Sequence, residues 1–385
     1  MMANNTQDTQ PILPGATLGI LGSGQLGRMF AQAAAQLGYY VHVFSPEANS
    51  PTAQVAHLET VAEYDDTDAV AKFAQTVDVV TLEFENVSAI ATDTIANYVP
   101  MRPSGHVLHV AQDRLREKRF LESVGIPCTP FAEITTAGEM AAAVETIGTP
   151  AVLKTTAWGY DGKGQAKVAT AEEATQAWQS LDNQAVIYEG WVEYQQEFSV
   201  LVARSAVGEV AICGPIANQH ANHILDLSVF PAPELAAYAD QASDISRTIV
   251  EQLDVVGIIC VEFFLTTDGQ VLVNEIAPRP HNSGHLTIEA CRTSQFEQQV
   301  RAICGLPLGE TKAHCPAAMA NLLGDPWQNG EPNWQAALAD PHVHLHLYGK
   351  AEARTGRKMG HLTVLADTSD EAVRRAREAR ARLSS

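Results

Sequence analysis

The sequence predicts a mixed molecule: an α/β domain with a parallel sheet, an α+β middle, and a small β-rich end. Three observations carry this. From Thr17 short apolar runs alternate with Ala-rich stretches of helical period, as in a parallel sheet covered on both faces. Beyond Glu197 the strand-like runs follow one another around an Asp268-Gly269 turn, which fits antiparallel pairing. And 385 residues exceed one ordinary core. Hydrophobic content of 46% with 18% charged residues excludes a disordered chain. A net charge of −20 argues against nucleic acid or an anionic membrane as partner, since both need clustered positive charge. It leaves small anions open.

The elements follow in order. Residues 1–14 read as a loose tail. Thr17–Leu21 is a strand, Gly22–Gly27 a glycine turn, Arg28–Leu37 a helix and Tyr40–Phe44 a second strand. A helix near Thr67–Gln75 and a strand Val77–Thr81 lead into Leu82-Glu83-Phe84-Glu85, and this domain spans 15–104. The next domain, 105–314, opens with a charged helix, Gln112–Val124. A lid over about 125–190 holds the helices Thr135–Gly148 and Ala171–Leu181. Its strands are Ala151–Lys154, Gln165–Ala169 and Ala185–Glu189. A main sheet over about 191–314 follows, with strands at Glu197–Ala203, Val210–Cys213, Gly257–Leu265 and Val271–Ile276. Helices near Ala232–Leu253 and Ser294–Cys304 cover it. The end, 315–385, has strand-like runs His342–Tyr348 and His361–Ala366 and an Arg-rich helix. Six cysteines without C-x-x-C spacing read as reduced thiols. No basic run precedes Arg28 and no apolar run reaches membrane-spanning length, so a soluble, cytoplasmic protein is expected.

Five segments can carry chemistry. Gly22, Gly24 and Gly27 stand between strand and helix, where a turn can approach an anion. A dinucleotide, a phosphate and simple packing all remain open there, although no acid for a ribose 2′-hydroxyl ends the second strand before Glu47. A two-residue Asp268-Gly269 loop would place Glu262 opposite Glu275. Like charges so paired repel, and a cation such as Mg²⁺ would turn the repulsion into ligation. Lys154 ends a strand and enters a glycine-rich flap, a fixed cation beside backbone donors for phosphate. It is not a Walker A loop, because Gln165-Ala166 stand where Lys-Ser/Thr should. Val186–Val192, with Glu197 beyond, leaves the lid along exposed backbone suited to an adenine edge. Finally, Arg279, His281 and Asn282 lie just past Glu275, and Lys350, Arg354, Arg357 and Lys358 cluster near the end, suiting a phosphate monoester. His281 with His285, and the alternating His342, His344 and His346, are weak zinc candidates.

In this order, strand lysine, glycine flap, crossover acid and paired glutamates resemble the ATP-grasp superfamily. Gly22–Met29, Gln112-Asp-Arg-Leu-x-Glu-Lys118, Gly159–Gln165, Asn274–His285 and Gly356–His361 resemble the N5-carboxyaminoimidazole ribonucleotide synthetase family. The resemblance runs over residues 16–366. It implies an ATP-grasp fold behind a Rossmann-like N-terminal domain, with a C-terminal domain after it, in a homodimer. The implied activity is ATP- and bicarbonate-dependent carboxylation of 5-aminoimidazole ribonucleotide (AIR) through carboxyphosphate, in purine synthesis. ATP and Mg²⁺, or Mn²⁺ in its place, are the implied co-substrate and metal.

Residue by residue, the resemblance implies that Arg114, Lys154 and Gly159, Tyr160, Asp161, Gly162, Lys163, Gly164 and Gln165 hold the ATP phosphates. Glu189, Gly190, Trp191 and Val192 would meet the adenine and Glu197 its ribose, with His220 beside the nucleotide. Glu262 and Glu275 would bind the metal, with Asn274 adjacent. Tyr160, Asp161, Arg279, His281 and Asn282 would line the bicarbonate and aminoimidazole site. Lys350, Arg357, Lys358, Gln25 and Leu26 would take the ribotide phosphate, and Glu83 the ribose. Two departures stand out: Ala277 where many ATP-grasp enzymes have a metal-binding Asn, and Thr355 where the family usually has Pro. Asp161 and His281 both remain open as the base that takes the amine proton. Two other readings stay beside this one. A formate-dependent glycinamide ribonucleotide transformylase typically has Asp at the position of Asn282, and an NAD-dependent oxidoreductase leaves the paired glutamates unexplained.

Overall fold

The computed structural model describes residues 10–157 and 164–384. Four short strands, β1 (Thr17–Leu21), β2 (Tyr40–Ser45), β3 (Leu58–Val61) and β4 (Val79–Leu82), form a parallel sheet in the order β3-β2-β1-β4. The inner strands are apolar on both faces because both faces are covered. The helix Gln25–Gln36 packs Met29 and Phe30 on one side, and the helix Gln295–Cys304 of the following unit adds Phe296 and Val300 to that layer. The helices Thr67–Ala74 and Ala89–Ala96 cover the other side with Phe73 and Ile95.

The lid is a four-stranded antiparallel sheet. Its strands are β5 (Phe131–Ile134), β6 (Ala151–Thr155), β7 (Gln165–Val168) and β8 (Val186–Gly190), in the order β5-β8-β6-β7. The helix Ala137–Ile147 starts where Thr136 and Glu139 cap each other reciprocally, and it lies with the helix Ala171–Ser180 on the apolar face built from Leu153, Tyr188 and Trp178.

The third unit is one eight-stranded sheet. Its strands are β9 (Tyr194–Arg204), β10 (Val210–Ala221), β11 (Ile224–Phe230), β12 (Gly257–Thr266), β13 (Val271–Ala277), β14 (Ala317–Leu323), β15 (Val343–Leu347) and β16 (Lys358–Leu365). They run in the order β13-β12-β9-β10-β11-β14-β16-β15. The C-terminal strands therefore extend the main sheet instead of forming a sheet of their own. The link is β14, an Ala-rich strand that composition hides because alanine has little strand preference; it pairs β11 to β16 and is buried almost throughout. The expected helix Gln112–Val124 is present as Arg114–Ser123, and an unexpected helix precedes it. The preceding helix, Gly105–Ala111, ends at Gln112, and Asp113 caps Arg114–Ser123 by accepting the Arg116 amide at 2.9 Å.

The β12–β13 hairpin also differs from expectation. Thr266 N–H donates to the Gln270 carbonyl at 2.9 Å, so the loop holds three residues, Thr267, Asp268 and Gly269, and Gly269 takes φ +85°. The longer loop shifts the register by one, so that Phe263 faces Val273. A β-bulge at Asn274 then shifts it back, and Glu262 stands opposite Glu275 after all.

The core beneath this sheet includes Phe198 and Phe263, fully buried and stacked with centroids 5.0 Å apart. Phe263→Ala should lower unfolding free energy by about 3–5 kcal/mol, read from urea denaturation; a loss below about 1 kcal/mol would contradict this packing.

Candidate active site

The site is built where the carboxyl ends of β1 and β4 face the edge of the main sheet. At the end of β1 the glycine turn opens the helix Gln25–Gln36, whose first amides form a seat for an anion. The chain fills that seat itself. Glu83, just past β4, accepts from Gly24 N–H at 2.6 Å, Leu26 N–H at 3.1 Å and Gly27 N–H at 3.0 Å. A Cβ on Gly22 would lie 2.7 Å from Glu83 Cγ, so glycine is required there. Burial raises the Glu83 carboxyl, and the Gly24 and Gly27 amides with Arg279 and Lys350 offset this only in part. The glycine motif thus serves an internal carboxylate, which accounts for its poor match to a dinucleotide site. The Leu26 amide, expected on a phosphate, is taken by Glu83; Gln25 precedes it at the helix start.

On the lid, Lys154 and Glu189 are diagonal neighbours on β6 and β8, and the Lys154 ammonium donates to Glu189 at 2.6 Å. Both are buried. Burial pushes the Glu189 carboxyl up, but Lys154 and then Lys118 outweigh it and hold it below its usual range. Lys154, expected on phosphate, thus already carries a carboxylate partner. Thr155 N–H donates to the Gly164 carbonyl at 2.9 Å and Gln165 pairs with Lys154, closing the base of the flap. Gly159, Tyr160, Asp161, Gly162 and Lys163 lie outside the described residues. After Gly190 the chain crosses to β9 with Trp191 half exposed beneath the Lys167 ammonium, 3.4 Å from the ring centroid; Val192 follows. Glu197 on β9 meets His220 on β10, Nδ1 to Oε2 2.7 Å. Burial lowers His220, and the Glu197 carboxylate more than compensates, so its pKa is raised.

The paired glutamates occupy the sheet edge. Glu262 contacts His281 Nε2 at 2.9 Å, and Glu275 contacts Arg114 at 3.5 Å. Burial would raise Glu262, but His281, His220 and Lys358 lower it to about 2. Burial would lower His281, but Cys260 and Glu262 raise it to about 10. His281 is therefore an imidazolium beside a carboxylate. In this arrangement it can donate a hydrogen bond but cannot accept a proton, which weighs against its expected alternative role as base. Arg279 forks onto Glu85, with Nη2 to Oε1 2.8 Å, and is held charged by it. Asn282 and Asn321 exchange side-chain amide bonds at 3.1 and 2.6 Å. The donor set suits Mg²⁺: two carboxylates at one pair, with the His281 ring on one of them and Arg114 on the other. Among the described residues no three His, Cys, Asp or Glu converge on one point, so further ligands would be water or phosphate oxygens.

Of the four clustered cations, three face this cleft. Lys350 donates to the Lys358 carbonyl at 2.8 Å and Arg357 to the Glu352 carbonyl at 2.9 Å, whereas Arg354 turns out to exposed Glu352. Burial, then Arg357, lowers Lys350 to about 8. Two of the remaining histidines, His285 and His346, pack their rings against His361 with centroids 4.9 and 4.5 Å away. His285 is buried against Gln295, and His346 stacks on His361 and bonds Glu289 at 2.5 Å.

Sequence reading missed Glu85, Glu117 and Asn321 as members of the site. Glu85 carried a signal: acids alternating past the carboxyl end of a parallel strand, where sites form. Glu117 stood in a quoted motif without an assigned role, and Lys118 beside it, expected among the cations around the anionic substrates, is instead buried on the Val273 and Asn274 carbonyls. Asn321 lay in a strand not expected at all.

Lys154→Met should cost about 3–5 kcal/mol at pH 7, because it strands Glu189 as a buried charge. The salt bridge lowers the Glu189 pKa, so its stabilisation exists above the unfolded carboxylate range and is lost as pH falls. The difference between variant and parent, followed by denaturant unfolding, should therefore shrink towards acid pH; a difference independent of pH would refute the coupling.

Three family models match the chain in order. They are a ribonucleotide synthetase preATP-grasp domain over residues 15–112, an ATP-grasp domain over 119–296, and a phosphoribosylaminoimidazole carboxylase C-terminal domain over 317–375. The N5-carboxyaminoimidazole ribonucleotide synthase of Bacillus subtilis is 42% identical, with 94% of each chain covered. That of Brucella melitensis is 43% identical over 92% of this chain and 98% of the relative. An ADP complex of an N5-carboxyaminoimidazole ribonucleotide synthetase superposes with TM-score 0.90 at 40% identity, covering 96% and 98% of the two chains. The Aspergillus clavatus N5-carboxyaminoimidazole synthase, solved with ADP and 5-aminoimidazole ribonucleotide, gives TM-score 0.87 at 32% identity, covering 96% and 98%. No helix among the described residues is long and apolar enough to cross a membrane. With these matches spanning nearly its whole length, the chain belongs to the N5-carboxyaminoimidazole ribonucleotide synthase family of ATP-grasp ligases.

Proposed function

We propose that this chain carboxylates AIR with ATP and bicarbonate, giving N5-carboxyaminoimidazole ribonucleotide, ADP and phosphate. One observation carries the reading: the cationic cluster and the paired glutamates share one cleft, with Lys358 close enough to Glu262 to lower its pKa. A ribotide phosphate on Lys350, Arg357 and Lys358 would thus place its base towards Glu262, His281 and Arg279. The relative solved with ADP and AIR supports the same pair of ligands.

A bicarbonate oxygen attacks the γ-phosphorus, the bond to ADP breaks, and carboxyphosphate forms. Lys154 and Arg114 neutralise charge on the transferred group. Mg²⁺ held by Glu262 and Glu275 supplies further neutralisation of the phosphates when bound. Carboxyphosphate parts into CO₂ and phosphate. The exocyclic amine of AIR captures the CO₂ and loses a proton. Arg279, kept charged by Glu85, and the His281 imidazolium are the donors positioned to orient carboxylate oxygens. Asp161, outside the described residues, is the base this reading retains.

Phosphate release from ATP by the purified protein tests this directly. Release should require bicarbonate and rise with AIR; stimulation only by glycinamide ribonucleotide plus formate would overturn the assignment. Lys350 adds a pH signature. A phosphate dianion binds the ammonium form, and the free amine titrates near 8. From about pH 7, where the phosphate is already a dianion, to pH 8 the apparent affinity for AIR should be nearly flat, and above pH 8 it should fall by up to roughly tenfold per unit. Lys350→Arg should remove the bend; a bend that persists would place the titrating group elsewhere.

A further inference from the structure

The helix Arg114–Ser123 buries two adjacent ionisable residues, Glu117 and Lys118, each less than 5% exposed, and burial pushes the Glu117 carboxyl up to about 8. An ammonium so deeply buried is costly unless acceptors surround it. The Lys118 ammonium donates to the Asn274 carbonyl at 2.8 Å and to the Val273 carbonyl at 3.3 Å. Glu117 accepts from the Ile276 N–H at 2.8 Å. These groups bracket the bulge in β13. In a regular strand successive carbonyls point to opposite sides, so one cation reaches two of them in a row only where the pleat is broken.

β13 is the edge strand of its sheet, so no further strand holds the groups that the bulge turns outward. Its outer side is held instead by the 127–128 segment, where the Pro127 carbonyl accepts from Val273 N–H at 2.9 Å, and by this helix. The consequence reaches the site. If the register set by the three-residue loop ran on unbroken, Glu262 would face Asn274, and Glu275 would turn to the opposite face of the sheet. The two carboxylates share a cation only if the bulge is kept.

We propose that Lys118 is a positioning residue for the metal site: by bonding the Val273 and Asn274 carbonyls, it fixes the bulge that sets Glu275 opposite Glu262. Glu117 completes the clamp at Ile276. The inference rests on the reading of Glu262 and Glu275 as metal ligands.

The test measures Mn²⁺ binding in the presence of ADP, from the electron paramagnetic resonance of free Mn²⁺, and ADP binding without metal, by calorimetry in EDTA. Lys118→Met keeps the stem and removes the ammonium; Lys118→Arg keeps donors at its end. Lys118→Met should weaken Mn²⁺ binding roughly 10–100-fold while metal-free ADP affinity stays within about twofold, and Lys118→Arg should recover most of the loss. Parent protein that binds no Mn²⁺ with ADP removes the metal reading and this proposal with it. Parent binding with undiminished binding in Lys118→Met overturns the clamp alone. An equal loss of metal-free ADP affinity also overturns it. So does the absence of folded protein, by circular dichroism, for both variants, since Lys118 would then serve the fold and not the site.

Discussion

Burying charge in a low-dielectric cleft forces every ionised group to find a partner, and that constraint organises the molecule around its site. Six acidic residues are involved, of which Glu117 is pushed up to about 8 by burial and Glu275 keeps its side chain half exposed. Glu83 takes three helix amides, Glu85 takes Arg279, Glu117 takes the Ile276 amide, Glu189 takes Lys154, Glu262 takes His281 and Glu275 takes Arg114. Removing one member of such a pair leaves the other uncompensated, which costs more than the pair itself is worth. The arrangement is therefore rigid where it has to be. Each side chain is fixed by an opposite charge or an oriented amide as well as by packing.

The same pairs join units that would otherwise touch only through apolar layers. Arg279 follows β13 of the main sheet, and Glu85 follows β4 of the parallel sheet. Lys350 lies after β15 at the far edge of the main sheet, yet it is near enough to Glu83 for the two charges to act on each other. Gln54 donates to the Gly349 carbonyl at 2.8 Å, and Arg102 to the Ile303 carbonyl at 2.6 Å. Residues separated by up to 295 positions thus meet in one cleft. The C-terminal strands can deliver their cations there because they continue the main sheet and do not hang from it as a separate body.

Much of this was legible in the residues. The alternation of strands and helices up to Glu85, the capped lid helices and the strands β9, β12 and β13 follow from apolar period and turn chemistry. β3, β5, β11 and β14 did not: β3 and β5 are four-residue strands with little burial and β14 is Ala-rich, so these three offer no clear period. β11, by contrast, alternates as Leu225-Asp226-Leu227-Ser228-Val229, and its signal was passed over. The lysines pointed to the cleft because there are only eight of them in an acidic chain, and Lys118, Lys154, Lys350 and Lys358 gather around it. What the residues could not reveal is which partner each charge takes. Lys154 reads as a phosphate ligand from its flap, but its bond to Glu189 depends on β6 and β8 being neighbours. Glu83 reads as a ribose contact, but its seat on the glycine turn depends on β4 lying beside β1.

The hairpin shows most clearly how a sequence argument and a structure can agree on a pairing for different reasons. A two-residue Asp268-Gly269 loop would set Glu262 opposite Glu275 directly. The actual loop is one residue longer, because Gly269 adopts φ +85° and Thr266 closes on Gln270. Continued unchanged, that register would separate the two carboxylates onto opposite faces. The bulge at Asn274 cancels the shift, and nothing within β12 or β13 marks its position: Asn274 is an ordinary polar residue between Val273 and Glu275. The information lies instead about 155 residues earlier, in a helix whose buried Glu117 and Lys118 match the three backbone groups that the bulge turns outward. Two adjacent ionisable residues on one helix, both buried, are therefore a signal of irregular backbone nearby. An ordinary ladder does not present two successive carbonyls to one ammonium.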